Sequence, residues 1–371
     1  MIKLQNVTKI YPDGTEAVKD VTLEVGKGEL CILLGPSGCG KTTTMKMINR
    51  LIPITSGTIY IDGVDSMKLD ANELRRNIGY AIQEIGLFPH MTVGQNIETV
   101  PALKGWPKSK RRERAMELLE LVGMDPTEFM DKYPAELSGG QRQRVGVARA
   151  LGADPPILLM DEPFGAIDPI TREKLQNEFL RIQGEIKKTV VFVTHDINEA
   201  IKMGDRIALM KDGQLIQYAP PAALLSQPKN DFVRDFVGAD RALKGLRLMR
   251  VKEVMRKSPP TVRADDDVVT AKERMDQEGR DWLMVVDDDG KFLGWVSRAD
   301  LGKGERVRDI MILPVTTATA DTILNEALSL MLGSAIGNLA IVDGDGRLEG
   351  VLTFNSLRRV LGEIYAEEES E

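Results

Sequence analysis

The chain has 371 residues, and its content of 42% hydrophobic and 28% charged residues is typical of a soluble globular protein with two or three domains. No apolar run approaches the ~18 residues of a membrane-spanning helix, and the start lacks the shape of a signal peptide, so we expect a cytoplasmic protein. The net charge is −7, and the whole acidic excess lies in residues 246–371, which excludes the basic footprint of a nucleic-acid-binding protein.

The first part of the chain predicts strands. Residues 1–28 alternate between apolar and polar positions around the turn Pro12-Asp13-Gly14, which is typical of antiparallel strands. The short apolar run at 29–34 predicts a buried core strand, and residues 56–63 predict one more strand closed by a turn.

A glycine-rich motif follows the core strand and leads into a helix predicted from Thr42 to Leu51. The motif, Gly35-Pro36-Ser37-Gly38-Cys39-Gly40-Lys41-Thr42 with Thr43 behind it, fits G-x-x-x-x-G-K-[ST]. Its backbone N–H groups and the positive helix end form a seat for phosphate. Lys41 would reach the β- and γ-phosphates of a nucleotide, and Thr42 would bind Mg²⁺. The two cysteines, Cys31 and Cys39, lack metal-ligand spacing, and we interpret them as reduced bystanders.

The middle of the chain predicts a helical insertion between core strands. A polar helix and the short strand 78–82 precede a helical, polar stretch from about 92 to 150, which includes the amphipathic segment Lys108–Leu121. Apolar strands return at 157–160 and 190–193, and a hairpin is predicted around 206–217. Continuous apolar strands separated by helices predict a parallel sheet covered on both faces.

Two further motifs carry candidate chemistry. Asp161 and Glu162 follow the strand 157–160, where an aspartate can hold Mg²⁺ and a second carboxylate can polarise water; an ordinary acidic turn is the alternative. Ser138-Gly139-Gly140-Gln141 precedes a long helix and forms a second anion seat. One γ-phosphate does not need two anion-binding sites from the same domain, so the second site would bind the nucleotide of another copy.

This combination resembles the ATP-binding cassette (ABC) family over residues 1 to about 240. In that family two cassettes meet head to tail, and each signature motif, here residues 138–141, caps the partner's ATP. The resemblance implies in-line attack of water on the γ-phosphate, activated by Glu162. Lys41, Mg²⁺ and the partner's Ser138 and Gly140 would stabilise the phosphate oxygens.

The resemblance also implies roles for four isolated residues. Tyr11 would stack on adenine, and Gln83 would contact Mg²⁺ and water and report to membrane subunits. Asp168 matches the aspartate of the family's D-loop, although Gly165 stands where serine is commoner. His195, directly after the strand 190–193, matches the histidine that contacts the γ-phosphate; a structural histidine is the alternative.

Residues 84–93 follow Gln83 and predict the docking surface for a membrane subunit, with burial in the core as the alternative. The rival function is a soluble cassette ATPase acting on DNA or ribosomes. Such proteins usually carry two cassettes, a coiled-coil insertion, zinc cysteines or a basic face, none of which the sequence contains. We therefore expect a homodimer of ATPase subunits with two membrane permease subunits and an extracellular or periplasmic substrate-binding protein, and no nucleic acid.

Beyond residue 250 the chain repeats itself without gaps at an offset of 56, so that Val251–Met255 recurs as Val307–Met311 and 282–290 as 338–346. The repeats resemble a pair of cystathionine-β-synthase (CBS) domains over about 251–362, a regulatory module whose ligand would be an adenine or cyclic dinucleotide. The family's ribose-phosphate motif, G-h-x-[ST]-x-x-D, places Ser297 and Asp300 in the first copy and Thr353 in the second. There Ser356 replaces the acidic residue, which weighs against a nucleotide; a dimerising module without ligand is the alternative.

The order of domains resembles the ATPase subunit of glycine betaine/proline/carnitine importers, and an importer of another solute is the alternative. We expect an α/β ABC ATPase, with a P-loop NTPase core, an antiparallel β subdomain and a helical insertion, followed by an α+β tandem CBS pair. The predicted boundaries are 1–240 for the ATP-binding domain, 241–250 for a linker, 251–305 and 306–362 for the CBS domains, and 363–371 for an acidic tail. The tail is expected to be a solvated end, or part of an electrostatic switch that senses salt.

Overall fold

The computed structural model describes residues 1–82, 86–165, 167–333 and 337–366. Contacts divide the chain into two compact units, the first comprising 1–224 with 228–236 and the second comprising 225–227 with the chain from Val237 onward. Among the described residues, no helix is both long and apolar enough to cross a membrane.

The first unit contains two sheets. Its described residues form the strands β1 Ile2–Ile10, β2 Glu16–Val25, β3 Leu30–Leu34, β4 Ser56–Ile61, β5 Val64–Asp65, β6 Ile78–Ala81, β7 Ile157–Asp161, β8 Thr189–Val193, β9 Arg206–Lys211 and β10 Gln214–Ala219. The core sheet has the order β10-β9-β3-β8-β7-β6, parallel except for the edge strand β10. The other sheet, β2-β1-β4-β5, is antiparallel. Strands β3, β7 and β8 are buried throughout, as their continuous apolar runs predict.

Helices alternate with the strands along the chain of the first unit. They are α1 Lys41–Ile48, α2 Ala71–Arg76, α3 Val93–Leu103, α4 Lys108–Leu121, α5 Pro126–Phe129, α6 Gly139–Leu151, α7 Pro169–Ile186, α8 Ile197–Met203, α9 Pro221–Ser226 and α10 Asp231–Val237. Local sequence sets where several begin: Thr92 and Ser138 each close a capping box, and Asp168 accepts from the Thr171 N–H with Pro169 in the first helical position.

The second unit contains the two repeats. Its elements are α11 Arg241–Gly245, α12 Val251–Val254, β11 Arg256–Lys257, β12 Thr261–Arg263, α13 Val268–Glu278, β13 Trp282–Val286, β14 Phe292–Ser297, α14 Val307–Ile310, α15 Leu324–Leu332, β15 Asn338–Val342, β16 Leu348–Thr353 and α16 Phe354–Ala366. They form the three-stranded sheets β12-β13-β14 and β11-β16-β15.

The strand register repeats pair for pair at the offset seen in the sequence. Trp282 pairs with Ser297 in the first copy, and Asn338 pairs with Thr353 in the second. A small core shared by the copies is built from equivalent positions, namely Met284, Trp295, Ala340 and Val351. The two copies therefore pack against each other as a pair, because each alone buries too little apolar surface.

Regular secondary structure extends into the expected linker and, in the described residues, to Ala366. Within 241–250 the chain forms α11 and a 3₁₀ helix at Leu246–Leu248, and Leu246 is fully buried in the core of the second repeat. Helix α16 runs to Ala366, so the expected tail boundary at residue 363 falls inside a helix. Residues 367–371 lie outside the described part of the chain.

Candidate active site

The order of the core strands brings four loops to one edge of the sheet. Strands β3, β8, β7 and β6 are parallel neighbours, so the segments after their carboxyl ends lie side by side, which is where open α/β sheets bind ligands. The phosphate loop follows β3, His195 follows β8 and Glu162 follows β7. Gln83, which follows β6 in the sequence, lies outside the described residues.

The backbone of the phosphate loop requires glycine at two positions. Gly35 has φ 143°, and a Cβ there would lie 2.2 Å from the carbonyl oxygen of Met210. Gly40 has φ 99°, and a Cβ there would lie 2.4 Å from the carbonyl oxygen of Ala17. Neither approach is possible for another residue unless the backbone moves, so the loop's shape depends on these glycines.

Lys41 lies under the loop and is only 6% exposed. Its Nζ donates to the carbonyl oxygens of Gly35 (2.7 Å) and Pro36 (2.8 Å), and Cys39 Sγ lies 3.7 Å from it. Burial raises the pKa of the Cys39 thiol, which keeps the sulfur protonated beside the ammonium group. Two carbonyls thus hold the lysine in the loop that would wrap a phosphate.

Thr42 and Asp161 bring two oxygen ligands together at the end of β7. The Thr42 hydroxyl donates to Asp161 Oδ1 over 3.2 Å, and Asp161 is 3% exposed. Burial raises the pKa of Asp161, and the Thr42 hydrogen bond only partly opposes that effect. A buried carboxylate beside a hydroxyl fits Mg²⁺, because the ion prefers oxygen ligands and would offset the buried negative charge.

Glu162 and His195 form a pair at the next position along the edge. His195 Nδ1 lies 3.0 Å from Glu162 Oε1, and the histidine side chain is 64% exposed. Glu162 has a left-handed backbone with φ 46°, and Gln143 of α6 donates from Nε2 to its carbonyl oxygen over 2.7 Å. The arrangement places a carboxylate and an imidazole in contact at the mouth of the phosphate site.

The remaining cassette residues lie in the same unit, and Ser138 and Asp168 among them are exposed. Ser138 is exposed at the start of α6, and its hydroxyl caps the helix by accepting from Gln141 N. A Cβ at Gly139 would meet nothing within 4 Å. Asp168 is exposed at the start of α7, where the Thr171 backbone N–H lowers its pKa. Tyr11 is half-buried, with Lys9 Nζ 5.1 Å from its ring centroid.

The segment expected to dock on a membrane subunit forms a loop that side-chain hydrogen bonds hold in shape and whose tip is exposed. Residues 84 and 85 lie outside the described part of the chain, whereas Phe88, Pro89 and His90 are exposed. Asn96 is fully buried and donates to the carbonyl oxygens of Phe88, Met91 and Thr92. A cleft of about 260 Å³ beside this loop is lined by Arg75, Arg76, Tyr80, Phe88, Thr99 and Arg149, among others.

Comparisons with known proteins identify this arrangement. The model of the ABC transporter family matches residues 18–165, and the CBS domain model matches residues 251–303 and 307–363. The chain is 46% identical to the glycine betaine/carnitine/choline transport ATP-binding protein OpuCA of Bacillus subtilis, over 100% of this chain and 99% of that protein. The chain belongs to the ATP-binding subunits of ABC transporters. The fold and the family predicted from the sequence are thereby confirmed.

Two further matches agree with the assignment of this chain as an ABC subunit. It is 48% identical to the osmoprotectant import ATP-binding protein OsmV of Salmonella typhimurium, over 95% of this chain and 94% of that protein. A solved dimeric structure of the ATP-binding cassette MJ0796 with ADP and phosphate is 40% identical, with a TM-score of 0.56, and covers 59% of this chain and 98% of that one. The ABC subunit is an ATPase, and its fold implies the use of ATP and Mg²⁺.

The CBS pair of this ABC subunit contains a cleft of about 400 Å³ between the two copies. It is lined by Arg256, Arg280, Trp282, Gly337, Asn338, Thr353, Phe354, Asn355, Ser356 and Arg359. The predicted residue Thr353 lies there, and its hydroxyl is 3.2 Å from that of Ser356. The first copy's Ser297 accepts from Ala299 N, and its Asp300 pairs with Lys303 at 2.6 Å.

Sequence reasoning missed Gln143 and the cleft arginines. Gln143 stands two residues after the signature motif on a helix face that is otherwise apolar and buried, and a polar residue at such a position is the signal that could have found it. Arg256, Arg280 and Arg359 come from separate elements of the two copies, so no local pattern in the sequence connects them.

Proposed function

We propose that two copies of this chain form the ATPase dimer of an importer for quaternary-amine osmolytes such as glycine betaine, carnitine or choline. The dimer works at the cytoplasmic face of a membrane with two permease subunits and an extracellular or periplasmic substrate-binding protein. The observation that carries the proposal is the full-length similarity to OpuCA, a glycine betaine/carnitine/choline transport protein, which covers the cassette and the CBS pair in one alignment.

Hydrolysis follows from the groups at the strand ends. Tyr11 stacks on the adenine, and the loop 35–42 with Thr43 wraps the phosphates, with Lys41 supplying positive charge. Thr42, Asp161 and Gln83 would hold Mg²⁺, and the ion would neutralise charge on the phosphate oxygens. Glu162 would accept a proton from the attacking water, and its contact with His195 at 3.0 Å would restrict the direction in which the carboxylate points.

The second half of each site comes from the other copy. Ser138, Gly139, Gly140, Gln141 and Asp168 would contact the partner's nucleotide. The openness of Gly139 supports this, because its own subunit supplies no neighbour that a side chain would meet. A glycine that the subunit's own packing does not require leaves room for phosphate to approach the start of α6.

The loop 86–92 and the cleft beside it would receive a permease subunit. Phe88 is 40% exposed at the rim, and Arg75, Arg76 and Arg149 surround it with positive charge. An exposed aromatic residue beside a groove lined by arginines and by apolar residues such as Ile78 and Val100 is typical of an interaction site. The loop is held in shape by Asn96, so little ordering remains to be done on docking.

The CBS pair would regulate transport through a nucleotide in its cleft. Arg256, Arg280 and Arg359 suit phosphate groups, and Trp282 offers a face on which a base can stack. The cleft includes Ser356, where the family motif has an acidic residue, and three arginines favour an anion there. An adenine nucleotide or a cyclic dinucleotide has the matching chemistry.

Uptake measurements test the proposal. In cells lacking this gene, labelled glycine betaine, carnitine and choline should fail to accumulate, and wild-type chain should restore uptake. Lys41→Ala should not restore it although the protein accumulates normally. Full uptake of all three solutes in the deleted strain, with loss of another solute, would show that the importer serves a different substrate.

A further inference from the structure

The turn that carries Glu162 is strained and held from several sides. Glu162 has φ 46°, a backbone conformation that costs a residue other than glycine of order 1 kcal/mol or more. Its N–H donates to the carbonyl oxygen of Val193 over 3.0 Å, which ties the turn to β8. Its carbonyl oxygen accepts from Gly165 N (3.1 Å) and from Gln143 Nε2 (2.7 Å). The direction of the carboxylate therefore depends on these backbone contacts as well as on the contact with His195.

Among these three hydrogen bonds, the one from Gln143 is made by a side chain, and that side chain belongs to a helix distant in the sequence. It is 5% exposed and lies on the face of α6 that carries the buried residues Val147 and Leu151. An apolar side chain at such a position would avoid the cost of burying an amide. The hydrogen bond to the Glu162 carbonyl gives the amide a role that packing alone does not.

The same helix carries two other functional contacts. Ser138 caps its start, and Arg149 near its end donates from Nη1 to the carbonyl oxygen of Gly86 over 2.6 Å. At 1.5 Å of rise per residue, Gln143 lies about 7 Å along the axis from Ser138. One 13-residue helix thus connects the signature motif, the Glu162 turn and the loop beside the docking cleft.

We propose that Gln143 is a positioning residue for hydrolysis: its amide fixes the turn from which the Glu162 carboxylate projects and ties that turn to the signature helix. The inference rests on the proposed role of Glu162 as the base. A shift of α6 when the signature motif engages the partner's nucleotide would then move the base of its own subunit. Misplacement of a catalytic group by about 1 Å costs up to about a hundred-fold in rate.

Steady-state hydrolysis by the purified full chain tests this. Gln143→Leu should lower kcat by about ten-fold or more and leave the KM for ATP within about two-fold, because the phosphate loop is untouched. Gln183→Leu is the matched control: Gln183 is also a buried glutamine whose amide donates to backbone carbonyls, those of Gly28 (3.3 Å) and Lys188, and it lies outside the candidate site. It should keep the wild-type kcat. Gln143→Met provides a second, unbranched variant.

A double variant separates this inference from the proposed function. If Gln143 acts through Glu162, adding Gln143→Leu to Glu162→Gln should lower the residual rate by less than about two-fold. A Glu162→Gln chain with wild-type kcat overturns the assignment of the base and the inference with it. An inactive Glu162→Gln chain together with wild-type kcat in folded Gln143→Leu and Gln143→Met overturns the inference alone, as does a change confined to KM.

Discussion

The two units of this chain build their sites in opposite ways. In the cassette, the phosphate loop has a backbone shape that requires glycine at Gly35 and Gly40, where a Cβ would lie 2.2 and 2.4 Å from a carbonyl oxygen. In the CBS pair, two copies of one fold keep the same register and differ in side chains, so that Ser356 stands where Asp300 stands in the first copy. The first site is specified by its backbone, and the second by which side chains have diverged.

The largest effect should come from the carboxylate at the end of β7. Glu162→Gln keeps the size of the side chain and removes the proton acceptor, so kcat should fall by about 10²–10⁴-fold. ATP should still bind and hold the dimer together, which size-exclusion chromatography with and without ATP would detect. A variant that hydrolyses at the wild-type rate would remove Glu162 from the catalytic groups.

Glycine substitutions compare the phosphate loop of the cassette with a turn of the CBS pair. Gly40→Ala should weaken ATP binding by at least about ten-fold, because a Cβ 2.4 Å from the Ala17 carbonyl forces the loop to move. Gly290→Ala, at φ 81° in a CBS turn where a Cβ meets nothing within 4 Å, should leave ATP binding unchanged and cost about 1 kcal/mol of stability. Titration with a fluorescent ATP analogue and thermal melting measure both effects. Equal ATP affinity in the two variants would contradict the contrast.

Because the cassette site is specified by its backbone and the CBS cleft by its side chains, the sequence predicted which residues lie together in the cassette better than in the cleft. Motifs such as 35–42 and 161–162 encode backbone geometry, and backbone geometry determines where their residues lie. The duplication predicted the strand pairing at 282–297 and 338–353, because equal sequences repeat equal registers. It did not predict the cleft, since Arg280 and Arg359 meet only after the two copies pack. Helix α16 extends past the expected tail boundary because residues 363–366, of which only Glu363 is charged, continue a helix already begun.

Removing one cleft arginine should separate regulation from catalysis. Arg359→Ala should weaken binding of an adenine or cyclic dinucleotide to the CBS pair by about ten-fold, the loss expected for one charge-assisted contact, and leave basal hydrolysis unchanged. Arg358→Ala is the matched control, because Arg358 is the neighbour of Arg359 on α16 and is not among the residues that line the cleft. Calorimetry on the full chain measures binding. Identical binding by the two variants would place the ligand elsewhere.

The smallest effect concerns stability rather than rate. Because burial raises the pKa of Asp161 above 3.8, the folded chain binds more protons than the unfolded chain between that value and the raised pKa, and stability falls as pH rises through this window. Asp161→Asn should therefore raise the melting temperature of the nucleotide-free chain at pH 7, by roughly 1–3 °C, while abolishing the stabilisation by Mg²⁺ and ATP. The gain should vanish at pH 4; a gain independent of pH would contradict the assigned cause.

The claim that each ATP site is completed by a second copy has a direct test in mixed dimers. Lys41→Ala disables the phosphate loop, and Ser138→Arg disables the signature motif, so each variant alone should be inactive. In a mixed dimer, the intact loop of one copy faces the intact signature of the other, and single-turnover hydrolysis should return at up to about a quarter of the wild-type amplitude in an equal mixture. A mixture no more active than its two components would mean that loop and signature act within one chain.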